Sequence, residues 1–169
     1  MKLKLFHDIF DRRLRPLEEL EYLAQEEPSA DRWHQVGMAY FQRLQFHLAL
    51  EAFNRVLQAM PHHVEARFHR GITLSIMGKF DQAIDDFSAT LRQEPDHFPA
   101  LYNRGRLLAR LGRHEEALGD FRRALEVNWF QARTLGLPKA VRELERRAGR
   151  SMSWWTRLWR WITGHRVMG

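Results

Sequence analysis

Nine histidines and a group of aspartates are the side chains of this 169-residue chain that could hold a metal or move a proton. His62 and His63 are adjacent, yet neighbours in sequence on a helix or turn do not converge on one ion. Beside Pro61, at a turn, they are expected to be exposed. Asp81, Asp85, Asp86 and Asp120 fall on predicted helices and are expected to form a solvated outer face. The chain has no phosphate-cradling glycine loop, no nucleophile elbow and no paired-histidine metalloprotease motif. It has no cysteine, which excludes disulfides and thiolate chemistry. The expectation is a protein that is not an enzyme and carries no metal and no cofactor.

The more telling residues are at the C-terminus. Residues 139–169 hold eight basic side chains against Glu143 and Glu145, so this stretch alone carries the whole net charge of +6. Such asymmetry points to an anionic partner near that end. Within it, SMSWWTRLWRWIT at 151–163 contains four tryptophans. On a helical wheel Trp154, Trp155, Leu158, Trp159, Trp161 and Ile162 share one side with Met152, and Arg157 and Arg160 lie opposite. Such a helix would be about 20 Å long, too short to cross a bilayer. Trp suits the headgroup boundary and Arg suits anionic lipid, the pattern of an interfacial helix. The same face could dock on the protein itself, on a second copy or in a larger complex, since Trp and Arg anchor interfaces. Stacking on single-stranded nucleic acid ranks below both. At the other end, Leu3, Phe6, Phe10, Leu14 and Leu17 fall at helical spacing among basic residues, a weak echo of the tail. Packing on the first helices is the simpler account of that stretch. The first residues never form the apolar run of a signal peptide, and no stretch approaches a membrane span. A cytoplasmic protein is expected, peripheral to the inner face of a membrane if its tail binds lipid.

The elements that position these residues repeat every 34 positions. Gly37, Gly71 and Gly105 recur at that interval, as do Ala49, Ala83 and Ala117, then Phe53, Phe87 and Phe121. Pro61 and Pro95 close two copies, and Trp129 replaces proline in the third. Small residues allow close helix approach, and the phenylalanines fill the space between. Gly78 and Gly112 fit left-handed turns. The pattern predicts helices at about 31–43, 47–59, 64–77, 80–93, 98–111 and 114–127. Pro16 opens a further helix that ends before Pro28. Pro138 opens another, with Leu137, Ala140, Val141, Leu144 and Ala148 on one side, Arg142, Glu143, Arg146 and Arg147 facing out, and Gly149 closing it.

Trp33, Val36, Gly37, Tyr40, Ala49, Phe53, Val56 and Pro61, with their counterparts one and two repeats further on, resemble the tetratricopeptide-repeat family over residues 30–129. The resemblance implies an all-α, right-handed α-solenoid of three helix–turn–helix repeats (30–63, 64–97 and 98–131). An N-terminal amphipathic segment and capping helix (1–29), a C-terminal capping helix (130–150) and the short amphipathic tail (151–169) complete it. It also implies that the first helix of each repeat lines a concave groove. By alignment the groove positions are His34, Met38 and Phe41, then Phe68, His69, Ile72 and Ser75, then Tyr102, Asn103, Arg106 and Arg110. The family's carboxylate clamp uses Lys and Asn where this chain has His34, Met38, His69, Pro99 and Asn103, so the clamp is largely missing. An apolar and aromatic trough with Arg106 and Arg110 suits a partner's helix or peptide. For Phe68, Ile72 and Tyr102, packing between repeats is an equal alternative. The functional expectation is a protein-binding scaffold or assembly factor, placed at a membrane surface or membrane complex by its tail. The alternative is a soluble adaptor whose tail self-associates or docks into a larger complex.

Overall fold

The computed structural model of the protein describes residues 17–147; the N-terminal amphipathic stretch and the Trp/Arg tail lie outside the described residues. Among the described residues every element is helical. The chain divides into two compact units, one ending at Glu94 and one beginning at Pro95.

The first unit contains α1 (Leu17–Glu26), α2 (Ala30–Gln42), α3 (Phe46–Ala59), α4 (Val64–Ile76) and α5 (Phe80–Gln93). The second contains α6 (Phe98–Arg110), α7 (His114–Val127), α8 (Trp129–Thr134) and α9 (Leu137–Arg147). The six helices predicted between residues 31 and 127 are present, with ends displaced by at most one residue. The pairs α2–α3, α4–α5 and α6–α7 are the tightly packed hairpins of the fold.

Each first helix starts on a side-chain cap. Ser29 accepts from the Arg32 amide, and the His63 and His97 imidazoles do the same for Ala66 and Ala100. These caps satisfy amides that the helix itself leaves without partners. Each hairpin turn is closed by a residue at positive φ: Leu44 at 61°, Gly78 at 77° and Gly112 at 78°. The following amide then reaches back across the turn, Gln45 to the Tyr40 carbonyl, Lys79 to Leu74 and Arg113 to Leu108, each at 2.9 Å. Glycine meets this requirement without cost, whereas Leu44 holds a left-handed conformation with a branched side chain.

Close packing explains the repeated Gly and Phe. A methyl group on Gly37 would stand 2.6 Å from Phe53 Cε1, and one on Gly105 would stand 2.6 Å from Phe121 Cε1. Ala49, Ala83, Ala117, Phe53 and Phe87 are fully buried, and Phe121 nearly so. In the first repeat, Val36 and Ala52 form with Ala24 of α1 a small apolar cluster flanked by Leu20, Trp33 and Tyr40.

In the later repeats the positions of Val36 and Ala52 carry charge. Arg70 Nε and Nη2 donate to Asp86 at 2.8 and 2.6 Å, while Nη1 donates to Asn54 Oδ1 at 2.9 Å. Arg104 and Asp120 reproduce the fork one repeat further on, again at 2.8 and 2.6 Å. The expectation of a solvated acidic face therefore holds for Asp81 and Asp85, which are exposed, and fails for Asp86 and Asp120, each 5% exposed. A carboxylate is buried there because a guanidinium on the facing helix satisfies both its oxygens.

At the C-terminal end, α8 is an element that apolar periodicity does not announce. Asn128 caps it by accepting from the Gln131 amide at 2.9 Å, and Gly136, at φ 75°, turns the chain into α9. Leu137 and Leu144 of α9 are buried, and Glu145 receives a 2.5 Å bond from Arg122 of α7. Arg142, Arg146 and Arg147 are exposed, as their spacing predicts.

Candidate binding faces on the first helices

In the first unit, His34, Met38 and Phe41 lie on α2, and Phe68, His69 and Ile72 lie on α4. Spacings of three or four positions set His34, Met38 and Phe41 on one helical face and bring Ile72 beside both Phe68 and His69. His34, Met38, Phe41, His69 and Ile72 are half-buried. Phe68 is 7% exposed, with its ring 5.9 Å from Phe87, so it packs as a wall between helices. Met38 and Phe41 lean on the core formed around Phe53, and Phe41 meets Phe46 edge to face at 5.7 Å.

Two of these residues join across helices. His34 Nε2 lies 3.1 Å from His69 Nδ1, and His69 Nδ1 also lies 2.8 Å from the Glu65 carbonyl oxygen. The His63 ring stands 5.4 Å from that of His34, and Phe53 lies beneath both members of the pair at 5.8 and 6.0 Å. Burial pushes His34 down from 6.5 to about 4, and the neighbouring His69 and His63 push the same way, against the weaker pull of Glu65 and Asp31. His34 is therefore neutral at pH 7. Among the described residues no group of three His, Asp or Glu is arranged to hold a metal ion.

In the second unit, Tyr102, Asn103, Arg106 and Arg110 lie on α6. Tyr102 stacks on Phe98 at 6.5 Å with the planes 4° apart, and the Arg106 guanidinium stands 5.4 Å from the Tyr102 centroid. Asn103 donates to the Pro99 carbonyl at 2.8 Å. Arg106 and Arg110 are exposed, so α6 presents an aromatic plate edged by cations.

A tetratricopeptide-repeat profile matches residues 77–132. Among solved structures, MamA of AMB-1 is 32% identical over 66% of this chain and 66% of its own length, with a TM-score of 0.60. The chain is a tetratricopeptide-repeat protein. The crystal structure of YrrB, described as a repeat protein with an unusual peptide-binding site, is 25% identical over 72% of this repeat protein and 63% of its own chain, at a TM-score of 0.64. The first repeat domain of Spaghetti (RPAP3), bound to the HSP90 peptide SRMEEVD, shares the fold at 21% identity and a TM-score of 0.64, covering 71% of this chain and 93% of that one. The repeat protein thus spans about two thirds of MamA and of YrrB. No curated protein sequence matches it.

The site residue of this repeat protein that its sequence pattern misplaces is His63. The turn beside Pro61 implies exposure for both His62 and His63; instead the His63 side chain is 16% exposed, caps α4 and completes the cluster with His34 and His69. A signal for this exists in the sequence: His63 and His97 occupy the same place in successive repeats, and both cap a first helix. His62 is exposed, as expected. The expected contact residues Trp154, Trp155, Arg157, Leu158, Trp159, Arg160, Trp161 and Ile162 lie outside the described residues.

Proposed function

We propose that this repeat protein is a scaffold or assembly factor that holds a partner's helix or extended peptide on the faces of its first helices. The supporting observation is the make-up of those faces, where half-buried Met38, Phe41 and Ile72 lie beside an imidazole pair in the first unit. The Tyr102–Arg106 plate in the second is the matching feature. Apolar anchors flanked by a few oriented polar groups are what a peptide ligand needs. The HSP90-peptide complex of the Spaghetti domain and the peptide-binding site of YrrB support the same reading. The replaced clamp positions argue against an acidic chaperone tail as the ligand and favour a partner with apolar anchors and some acid.

The C-terminal Trp/Arg segment would carry this scaffold to an anionic membrane surface on the cytoplasmic side, or to a membrane-bound complex. Among the described residues no helix is long and apolar enough to cross a membrane, so attachment would be peripheral. Liposome co-sedimentation of the full chain against a truncation after residue 150, with anionic and neutral vesicles, tests it. Pelleting of the full chain alone, strengthened by anionic lipid, supports the anchor. Failure of both to pellet removes it, and the tail then belongs to a protein contact, a reading to which the 78% exposed Phe130 lends weight.

A further inference from the structure

We propose that His34 and His69 form a one-proton link between α2 and α4, the first helices of adjacent repeats, and that acid breaks this link and loosens the two helices from each other. Hydrogen-bond roles fix where the protons sit. A carbonyl oxygen only accepts, so His69 Nδ1, 2.8 Å from the Glu65 carbonyl, carries a hydrogen. That hydrogen also faces His34 Nε2 at 3.1 Å, which must then be the bare, accepting nitrogen of a neutral ring. The contact therefore exists in one arrangement of protons.

Adding a proton to His34 Nε2 places two N–H groups head to head across the same gap. The groups around His34 compensate little. From α3 the group facing the pair is the Phe53 ring, which accepts no conventional hydrogen bond. From the turn before α4, His63 is a third imidazole, already capping Ala66. The nearby carboxylates reach the cluster only at its edges and beyond hydrogen-bond distance: Glu65 Oε2 lies 3.9 Å from His69 Nδ1, and Asp31 Oδ1 lies 4.0 Å from His63 Nε2. Their side chains are 57% and 89% exposed, so water screens what they could offer His34. The rings must part, and α2 must move against α4. The inference holds whether or not these faces bind a peptide.

The experiment uses the full chain. Histidine NMR titration and amide hydrogen exchange at pH 7 and 4.5, corrected for intrinsic rates, read the pair and its helices. The expected result is that His34 titrates well below the 6.5 of an unperturbed imidazole, while α2 and α4 lose protection relative to α7 of the second unit. That loss is about tenfold for each pH unit by which His34 resists protonation. His34→Phe keeps a ring over Phe53 and removes the proton site, and it is expected to abolish the selective loss. His34→Gln, which also removes the proton site and can still accept from His69, serves the same purpose if that variant fails to fold. Titration of His34 at 6.5 or above, equal loss in α2, α4 and α7, or an unchanged acid response in the folded variant would each overturn the proposal.

Discussion

The Arg70 guanidinium forks onto both carboxylate oxygens of Asp86, and Arg104 repeats the fork on Asp120 with the same two distances. Asp86 is nearly buried, so its removal strands a guanidinium that is itself 28% exposed. Asp86→Ala is expected to destabilise the first unit by about 2–3 kcal/mol. Replacing both partners by Met and Leu is expected to recover most of that loss, because no uncompensated charge remains. Urea unfolding of Arg70→Met, Asp86→Leu and the double variant measures it; additive losses would show that the fork is not a coupled pair.

Glycine replacement should change sign with position. Gly37→Ala drives a methyl into the Phe53 ring, which is fully buried and has little room to move. The strain is expected to outweigh the gain in helix propensity and to cost about 1–2 kcal/mol. Gly119, inside α7, has nothing within 4 Å of the new methyl, so Gly119→Ala is expected to stabilise by up to about 1 kcal/mol. Thermal melts of the two variants should move in opposite directions.

Leu44 occupies the turn position that glycine fills in the next two repeats, and it does so 71% exposed. Leu44→Gly relieves a left-handed leucine worth about 1–2 kcal/mol, less the greater freedom that glycine has in the unfolded chain. The expected net is a gain of about 0.5–1 kcal/mol, read as a higher urea midpoint. A fall would mean that the leucine side chain makes a stabilising contact.

Stability should depend on pH through His34. Its value in the fold, about 4, lies below the 6.5 of an unperturbed ring, so the unfolded chain takes up the proton first as pH falls. The stabilisation is complete above pH 6.5, is lost progressively toward pH 4, and falls no further through this group below that. Solvent screening of a half-exposed ring brings the expected loss to the order of 1–2 kcal/mol. Urea midpoints from neutral pH down to acid, compared with those of His34→Phe, isolate it; parallel curves would remove His34 as the cause.

The repeat is legible because close helix packing is periodic: Gly37, Ala49 and Phe53 recur where a methyl more or less decides whether two helices meet. The Arg–Asp forks are not, although Arg70, Arg104, Asp86 and Asp120 share the same repeat register. An acidic residue on a second helix reads as solvated until its partner on the facing helix is brought beside it. His63 is hidden for a related reason, since its two roles, capping α4 and flanking His34, belong to different elements. Helix α8 depends on Asn128 acting as a cap, a local hydrogen bond that apolar spacing does not report.

The apolar cluster of Ala24, Val36 and Ala52 bears on how a chain of this kind can lengthen. Duplication of residues 64–97 would copy a unit that carries its own charged fork and would leave the seat for α1 undisturbed. Duplication of residues 30–63 would instead set α3, whose Asn54 bonds Arg70, against an apolar Val36–Ala52 seat that offers it no hydrogen bond. Val36 and Ala52 thus fit the first repeat to α1, and lengthening by an added copy is expected to be tolerated better with the fork-bearing unit that follows it.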